Sequence, residues 1–308
     1  MNPSSDDVAA VIVTYNALQA DLGRLLTALD DQVKLAVLVE NGESVGSIDN
    51  LPLKRLQCDF VRLGRNTGLG CGQNLGIAHA TGAGFPYILL LDQDSFPLPG
   101  MAGNLLRAHK DLTARGICPG AVGPIWVDGN GKPCGSFVQI RNLGNRTRAF
   151  QAVGNTFEEC SYLASSGSLI SAECLRNVGR MREELFIDQI DVEWCRRAGS
   201  LGYRHFGIGL AKMEHQVGLA TRRYWMFGWR HESVQHPDRI YYLARNIFRV
   251  WVLEGSWPWR ISGMKLVLGI FMASIQAPDA KWLRLSLLLR GIVDGLRGRL
   301  GRLSDRSH

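Results

Sequence analysis

Short apolar runs alternate with helix-like segments through the first hundred residues of this 308-residue chain. Four β-rich runs each end in polar or turn residues, which predicts four strands. They are residues 8–16, 35–42, 58–64 and 87–92. Leucines at helical spacing predict a helix over residues 17–30, and residues 68–82 predict a loop that enters a helix and stops at a glycine. Strands that alternate with helices predict an α/β fold with a mostly parallel sheet covered on both faces.

The pattern changes twice after residue 100. Between about residues 125 and 170 it is looser, with short β-like runs at 136–140 (SFVQI) and 165–170 (SSGSLI). Residues 186–206 predict a helix with apolar and acidic faces, followed by a strand. After about residue 220 aromatic residues and arginines become frequent, and helices are expected to the end of the chain.

Polar residues follow each of the four predicted strands. In open α/β sheets ligands bind beyond the carboxyl ends of the strands, so these residues are expected on one edge of the sheet. They are Thr14, Tyr15 and Asn16, then Glu40, Asn41 and Gly42, then Arg65, Asn66, Thr67 and Gly68, and finally Asp92, Gln93 and Asp94.

Two carboxylates one residue apart, Asp92 and Asp94, follow the apolar run ILLL. Charge is costly there unless something positive is bound nearby. Such a pair suits a divalent cation that also contacts phosphate oxygens. A solvated turn is the plainer alternative. A phosphohydrolase with Asp92 as nucleophile is another, but that chemistry normally follows the first strand of its domain, and three strand-like runs come first here.

A second acidic cluster, Asp188, Asp191 and Glu193, lies within six residues. On a helix, residues 188 and 191 would share a face and residue 193 would lie to one side. Clustered acids raise the pKa of at least one member, as a general base requires. Trp194 offers a flat face for a sugar ring. The alternative is a solvated helix start, with acids near the positive end of the helix dipole.

Two further signals are weak by themselves. His215, in the run MEHQVG, becomes a candidate metal ligand only because Asp92 and Asp94 already suggest a site. The glycines at positions 68, 70, 72 and 76 are reminiscent of a phosphate loop. However, no G-x-G-x-x-G and no Walker lysine accompany them.

Taken in order, the segments VIVTYN, VENG, GRNTGLGCGQNLGI, LLLDQDS, SSGSLI, FIDQIDVEWCRRAGSLGY and MEHQVG resemble family-2 glycosyltransferases of the GT-A fold. The resemblance spans about residues 8 to 250. Within the family it is strongest to the bacterial rhamnosyltransferases of O-antigen and polysaccharide assembly. It implies inverting transfer of a sugar from a nucleotide-sugar, expected to be dTDP-L-rhamnose, to a glycan or polyprenyl-linked saccharide.

The resemblance also implies roles for residues. Thr14, Tyr15, Asn16 and Glu40 would line the nucleoside pocket, and Asn66, Gly68, Asn74 and Gln93 are also assigned to substrate binding. Asp92 would contact the ribose. Asp94 and His215 would hold Mg²⁺ or Mn²⁺. Asp191 would be the catalytic base, with Asp188, Glu193 and Trp194 around it. Two departures are that residue 40 is Glu where the family usually has Asp, and that residues 234–246 match only in part.

These comparisons predict a glycosyltransferase domain over residues 1–220. Residues 1–100 would form its nucleotide-sugar half and residues 101–220 its acceptor half, followed by a helical region over residues 221–308. A non-catalytic sugar-nucleotide-binding module remains an alternative. Seven scattered cysteines without a CxxC pair indicate free thiols in a reducing compartment, and no signal peptide is expected.

The net charge of +7 is partly local, since residues 281–306 hold seven basic and two acidic residues. That excess favours a partner for this end rather than general binding to nucleic acid. On a helical wheel, residues 283–303 place leucines on one face and most arginines outside it, which suits an anionic membrane surface. The expected location is therefore the cytoplasm, on the inner face of the cell membrane. Packing on the domain, or a homodimer interface, is the alternative.

Overall fold

The computed structural model describes residues 5–42, 53–134, 136–141, 144–148, 156–215, 221–233 and 236–303. The strands in these ranges are β1 Val8–Thr14, β2 Leu35–Glu40, β3 Gln57–Arg62, β4 Tyr87–Asp92, β5 Ser95–Pro97, β6 Pro119–Val127, β7 Phe137–Arg141, β8 Gly144–Arg148, β9 Phe157–Cys160, β10 Leu169–Ser171, β11 Arg204–His215, β12 Thr221–Trp225 and β13 Trp229–Ser233. The α-helices are α1 Gln19–Leu29, α2 Leu69–Gly82, α3 Met101–Ala114, α4 Ala172–Val178, α5 Ile190–Ser200, α6 Pro237–Ile247, α7 Trp257–Ile275 and α8 Lys281–Leu296.

The chain divides into two compact units. The first contains Met1–Gln139, Thr147–Glu183 and Asp191–Gln216, and the second contains Ile140–Arg146, Glu184–Ile190 and Val217–His308. The second unit therefore includes a short piece, residues 184–190, that precedes α5 directly in sequence.

The first unit is built on a nine-stranded sheet in its described part. The strand order is β3-β2-β1-β4-β10-β6-β11-β5, and β9 pairs with β11. The first four strands of this order are parallel, and β10 is antiparallel to both β4 and β6. The predicted α/β fold with helices on the sheet is confirmed.

Alternating side chains explain why helices cover both faces of this sheet. Even-numbered residues of β1, such as Ala10 and Ile12, join the core cluster that contains the leucines of α1 and α3. On the other face, α2 approaches Val11 and Val13 closely. Strands buried on both faces read as continuous apolar runs, as the sequence of β1 and β2 does.

The predicted helix over the acidic segment begins later than expected. Helix α5 starts at Ile190, whereas Phe186, Asp188 and Gln189 have φ values of 65°, 63° and 65°. These left-handed conformations cost a non-glycine residue about 1 kcal/mol or more each and are incompatible with a helix. Asp188 and Asp191 therefore do not share a helical face.

In the second unit, α8 packs along α6 and ends at Leu296, not near residue 303. Two glycines explain the closeness of the two helices. A Cβ on Gly291 would lie 2.5 Å from the carbonyl oxygen of Tyr241, and one on Gly295 would lie 2.8 Å from that of Arg245. The same helix leaves Trp282, Leu289, Val293 and Leu296 exposed. One face of α8 thus packs on the protein, and an apolar stripe remains on its surface.

Candidate functional site

The strand order places a topological switch point between β1 and β4. From β1 the chain runs outward to β2 and β3, and β4 then returns to the other side of β1. Ligands of open α/β sheets bind at such a point, beyond the carboxyl ends of the two strands. In this chain those ends are Thr14-Tyr15-Asn16 and Asp92-Gln93-Asp94, and Val13 is the register partner of Asp92.

Gln93 ties these two strand ends together. The backbone N–H of Tyr15 donates to Gln93 Oε1 at 2.8 Å, and Gln93 Nε2 donates to the carbonyl oxygen of Tyr15 at 3.2 Å. The amide therefore extends the ladder between β1 and β4 by one step. Tyr15 and Asn16 stay exposed beside it, and Asn16 has a φ of 48°.

Glu40 is buried at the carboxyl end of β2 and accepts a hydrogen bond from Arg62 Nε at 2.7 Å. The arginine makes a buried carboxylate tolerable at this position. Next to it, Asn41 Oδ1 accepts from the backbone N–H of Thr67 at 2.7 Å, and Asn41 Nδ2 donates to Asn66 Oδ1 at 3.3 Å. Asn41 thus holds the turn before α2. The motif VENG placed Asn41 at a strand end but did not predict these contacts.

The glycine-rich segment packs helix on sheet. Gly68 is the N-cap of α2, with a φ of 92°. A Cβ on Gly72 would lie 2.7 Å from Val13 Cγ1, and a Cβ on Gly76 would lie 2.3 Å from Val11 Cγ1. The glycines that are reminiscent of a phosphate loop in the sequence therefore allow α2 to pack closely on β1.

Asn74, also in α2, is buried and fixes a neighbouring loop. Its Nδ2 donates to the carbonyl oxygen of Met181 at 2.9 Å and to Glu183 Oε1 at 2.8 Å, while its Oδ1 accepts from the N–H of Met181 at 2.8 Å. These bonds occupy both ends of the amide, so in this structure Asn74 holds the loop at residues 181–183 and has no free group for a substrate.

A serine pair connects the end of β4 with the start of α5. The N–H of Asp92 donates to Ser166 Oγ at 3.1 Å, and Ser166 Oγ lies 2.6 Å from Ser95 Oγ. The adjacent residue, Ser165, donates its N–H to Asp191 Oδ2 at 3.2 Å. Consecutive residues thus hold the two carboxylate segments that the sequence singled out, although they are about a hundred residues apart in the chain.

Asp191 lies in the first turn of α5, where its Oδ1 also accepts from the N–H of Val192 at 2.8 Å. The neighbouring Tyr162 is partly buried, and this burial raises its pKa, with a further rise from the negative charge of Asp191. Tyr162 and Ser166 both line a cavity of about 190 Å³ that Gly123–Trp126 and Phe137 also border. A carboxylate held by backbone N–H groups close to this cavity can accept a proton from a bound hydroxyl.

Glu193 and Trp194 point into the protein. Glu193 is buried and forms an ion pair with Arg197 at 3.0 Å, and that arginine also donates to the backbone carbonyls of Val178 and Arg180. Trp194 is only 1% exposed and donates its Nε1–H to the carbonyl oxygen of Gly179. Its ring therefore has no free face for a sugar, which corrects the expectation from sequence.

Asp94 is exposed and makes no hydrogen bond or ion pair with another described residue. The backbone of His215 pairs with Ser95, the residue after Asp94, while the His215 side chain lies outside the described residues. Among the described residues no group of three or more His, Cys, Asp or Glu side chains gathers into a metal cluster. A carboxylate without an internal hydrogen bond or ion pair fits Mg²⁺ or Mn²⁺ chemically.

The second unit contains a buried clamp that sequence reasoning left unassigned. Asn246 Nδ2 donates to the carbonyl oxygens of Leu185, Ile187 and Asp188 at 2.7 to 2.9 Å. Arg245, also fully buried, donates to the Leu185 carbonyl at 2.7 Å. Both residues lie on α6.

Other contacts in the second unit hold the same loop. Asp188 pairs with Arg239 at 2.9 Å, and Trp251 Nε1 donates to Gln189 Oε1 at 2.7 Å. Phe186 stacks on Tyr242, with ring centroids 5.1 Å apart. These contacts hold the strained loop 184–190, whose next residue in the chain is Asp191. In the sequence, the motif YYLARN contains the two clamp residues, Arg245 and Asn246.

Three comparisons place the chain among known proteins. Residues 9–179, more than half of the chain, match the family model described as glycosyl transferase family 2. A dTDP-rhamnosyl transferase, RfbF of Shigella flexneri, is 28% identical over 302 residues, which are 96% of this chain and 98% of that protein.

Two solved structures share the fold. A structure of GalNAc-T7 with UDP, GalNAc and Mn²⁺ aligns with a TM-score of 0.57 at 13% identity, over 94% of this chain and 56% of that one. S. aureus TarS 1-349 aligns with a TM-score of 0.56 at 15% identity, over 95% of this chain and 81% of that one. With a switch-point site of the expected polar composition and a family model matched over most of the first unit, the chain belongs to glycosyl transferase family 2.

Proposed function

We propose that this enzyme transfers L-rhamnose from dTDP-L-rhamnose to a hydroxyl group of a glycan or lipid-linked saccharide in bacterial surface polysaccharide synthesis. The full-length similarity to a dTDP-rhamnosyl transferase supports the donor. The observation that carries the reaction type is the link made by Ser165 and Ser166, which holds Asp191 and the backbone of Asp92 from consecutive residues.

In the proposed reaction the donor lies at the switch point. Tyr15, Asn16 and Glu40 border the nucleoside there, and Asp92 faces the ribose. The acceptor hydroxyl enters from the cavity beside Tyr162. Asp191 takes the hydroxyl proton as that oxygen attacks the anomeric carbon. The bond from the anomeric carbon to the diphosphate oxygen breaks, and the configuration at that carbon inverts.

Asp94, with His215, would hold a divalent cation. Such a cation, when bound, neutralises charge on a leaving diphosphate. The metal in the GalNAc-T7 structure supports this expectation at the level of the shared fold. Within the protein itself, Gln93 fixes the distance between the strand ends that flank this group.

A lipid-linked acceptor would place the enzyme at the inner face of the cell membrane. The exposed stripe of α8, formed by Trp282, Leu289, Val293 and Leu296, supports such an association, and basic residues accompany it. In the described part of the chain, no helix has the length and apolar character needed to cross a bilayer. A homodimer that covers the same stripe is the competing proposal for this surface.

The experiment is a thermal-shift panel of dTDP, UDP, GDP and CMP, each with and without Mn²⁺, because a bound ligand raises the melting temperature by mass action. A metal-dependent shift that is selective for dTDP supports the rhamnosyl donor. A shift with UDP or GDP instead keeps the transferase and discards dTDP-L-rhamnose. No shift with any nucleotide overturns the donor site.

Turnover with dTDP-L-rhamnose then separates the proposal from its alternatives. A transferase releases dTDP only when sugar moves to an acceptor or to water. A phosphohydrolase would release inorganic phosphate through a phospho-aspartate at Asp92. A binding module would shift in melting temperature without turnover, and Asp191→Asn would leave it unaffected.

A further inference from the structure

The hairpin of β12 and β13 presents an aromatic face to solvent. Trp225, Phe227 and Trp229 are 50%, 84% and 63% exposed. Trp225 and Trp229 are opposite each other in the register, and the Trp225 and Phe227 ring centroids are 6.2 Å apart. Three large aromatic side chains next to one another on a surface mark a place where another molecule binds.

From Arg222 to Trp229 the hairpin alternates between an inner and an outer face. Tyr224 and Met226 are partly buried and lie beside Gly269 of α7. The outer positions are Arg223, Trp225, Phe227 and Trp229, all exposed. The aromatic residues are therefore not core residues left over at an edge, because the hairpin already has a separate set of residues for its packing.

The hairpin is also fixed in place within the second unit. The backbone N–H of Trp225 donates to Gln276 Oε1, and Gln276 Nε2 donates to the carbonyl oxygen of Trp225, both at 2.9 Å. Gln276 directly follows α7 and also donates to the carbonyl oxygen of Met272 at 3.0 Å. These hydrogen bonds between the Gln276 side chain and the Trp225 backbone fix the hairpin next to the end of α7.

The charge of the hairpin identifies the chemistry of the partner. Residues 221–233 contain three arginines and one glutamate. The Arg223 guanidinium lies 4.7 Å from the centroid of the Trp229 ring. Arg230, the register partner of Tyr224, is also exposed. Tryptophan and phenylalanine beside arginine are typical of segments that lie at the lipid headgroup level, where the rings enter the acyl boundary and the cations meet anionic headgroups.

The shape of the hairpin favours lipid over a saccharide. Phe227, the most exposed of the three, is at the turn, with a φ of 52°, and Gly228 follows with a φ of 132°. The aromatic residues thus lie at an exposed turn, whereas sites for small polar ligands are concave.

We propose that this aromatic hairpin inserts into the interface of an anionic bilayer as a second membrane contact, in addition to the stripe of α8. The inference rests on the proposed membrane association but not on the identity of the donor. Insertion of the tip anchors the second unit at the surface where a lipid-linked acceptor would be found.

The test is co-sedimentation of the full-length protein with two kinds of vesicle. One contains phosphatidylcholine alone, and the other also contains about 30% phosphatidylglycerol, an anionic lipid of the kind that attracts basic segments. The test variant is Trp225→Ala/Phe227→Ala/Trp229→Ala. The matched control is Leu18→Ala/Leu201→Ala/Leu210→Ala, which removes three other exposed apolar side chains. Circular dichroism melts verify that both variants fold.

We expect the wild type and the control to bind the anionic vesicles. The hairpin variant should bind at least about tenfold more weakly, because three buried aromatic side chains are lost from the interface. Arg223→Gln/Arg230→Gln should reduce the preference for anionic over neutral vesicles.

Three results would overturn the inference, and they separate it from the rest of the proposal. If the hairpin variant binds like the wild type, the hairpin has no role, while the membrane association stands. If the wild type binds neither vesicle, both are wrong. If the variant instead turns a dimer into a monomer in light scattering without any vesicle binding, the partner is a second copy. Release of dTDP from dTDP-L-rhamnose in detergent-free buffer reports separately on the donor site.

Discussion

The side-chain amide of Asn246 lies 2.9 Å from the carbonyl oxygen of Asp188, although the two residues are 58 positions apart in the chain. Asn246 is fully buried, and its N–H groups serve three carbonyls of one loop. The loop contains three non-glycine residues with positive φ, which persist only where surrounding contacts over-determine them. The residue that follows the loop 184–190 is Asp191, the proposed base.

Asn246→Ala should lower the free energy of unfolding by about 1–3 kcal/mol, because buried carbonyl groups lose their donor. If the clamp also positions Asp191, kcat should fall about tenfold or more while KM for the donor stays within about twofold. Steady-state kinetics and urea denaturation measure both. Asn104→Ala, which removes two exposed hydrogen bonds, one to the Leu210 carbonyl and one from Arg107, is the control. Loss of stability with unchanged kcat would leave the clamp a purely structural role.

Asp191→Asn should reduce kcat by about 10²–10⁴-fold, as expected for the loss of a general base. The amide keeps the shape of the carboxylate but only one acceptor oxygen, so one of the N–H groups of Ser165 and Val192 loses its acceptor. The melting temperature should therefore fall slightly, because Asp191 is partly exposed, and the affinity for dTDP should stay close to that of the wild type. A variant with full turnover would show that another group accepts the proton.

Glu193→Gln should reduce stability more than Asp191→Asn does. Glu193 is buried against Arg197, which is itself partly exposed, so loss of the charge should cost about 1–3 kcal/mol in unfolding free energy. Urea denaturation of the two single variants, side by side, tests the difference. Equal stability of both variants with the wild type would contradict the structural role given to the Glu193–Arg197 pair.

Asp94→Asn should abolish the part of nucleotide binding that depends on Mn²⁺. Titration calorimetry of dTDP with and without Mn²⁺ measures this without requiring turnover. Binding in the absence of metal should be unchanged, because Asp94 makes no hydrogen bond or ion pair with another described residue that its replacement would break. The exposed Asp31→Asn is a control of the same chemistry. An undiminished response to Mn²⁺ would remove Asp94 from the metal site.

His109 should make the fold sensitive to acid. It is buried in α3, neither ring nitrogen has a hydrogen-bond partner, and burial lowers its pKa from 6.5 to about 4. The unfolded chain therefore binds an extra proton between these pH values. The corresponding stability is complete above pH 6.5 and is lost as the pH falls towards 4, by up to about 3 kcal/mol.

His109→Phe should keep the edge contact with Tyr87, whose ring centroid lies 5.1 Å away, and should remove this titration. The stability gain of the variant over the wild type should grow from pH 7 to pH 5 in urea denaturation. Parallel pH profiles of His109→Phe and the wild type would contradict the assignment.

The pattern of apolar and polar residues was sufficient to predict the α/β architecture of the first hundred residues and the edge of the sheet where the polar strand ends lie. It did so because apolar periodicity is a local property, and because the carboxyl ends of parallel strands share one edge. The order of polar motifs was also enough to indicate the family.

Long-range packing was needed to establish which polar and aromatic side chains are accessible to a ligand. Trp194 and Glu193 look like site residues in a linear motif, yet both are buried, since the rotation of α5 depends on packing with distant segments. Local pattern likewise could not predict that Asp188 lies in a strained loop, because the contacts that stabilise that loop come from Arg245, Asn246 and Trp251. The glycines of α2 are reminiscent of a phosphate loop in the sequence, and only the position of β1 shows that Gly72 and Gly76 allow helix and strand to pack closely. Burial and long-range hydrogen bonds separate residues that bind a ligand from residues that hold the fold, and neither is encoded in neighbouring positions of the chain.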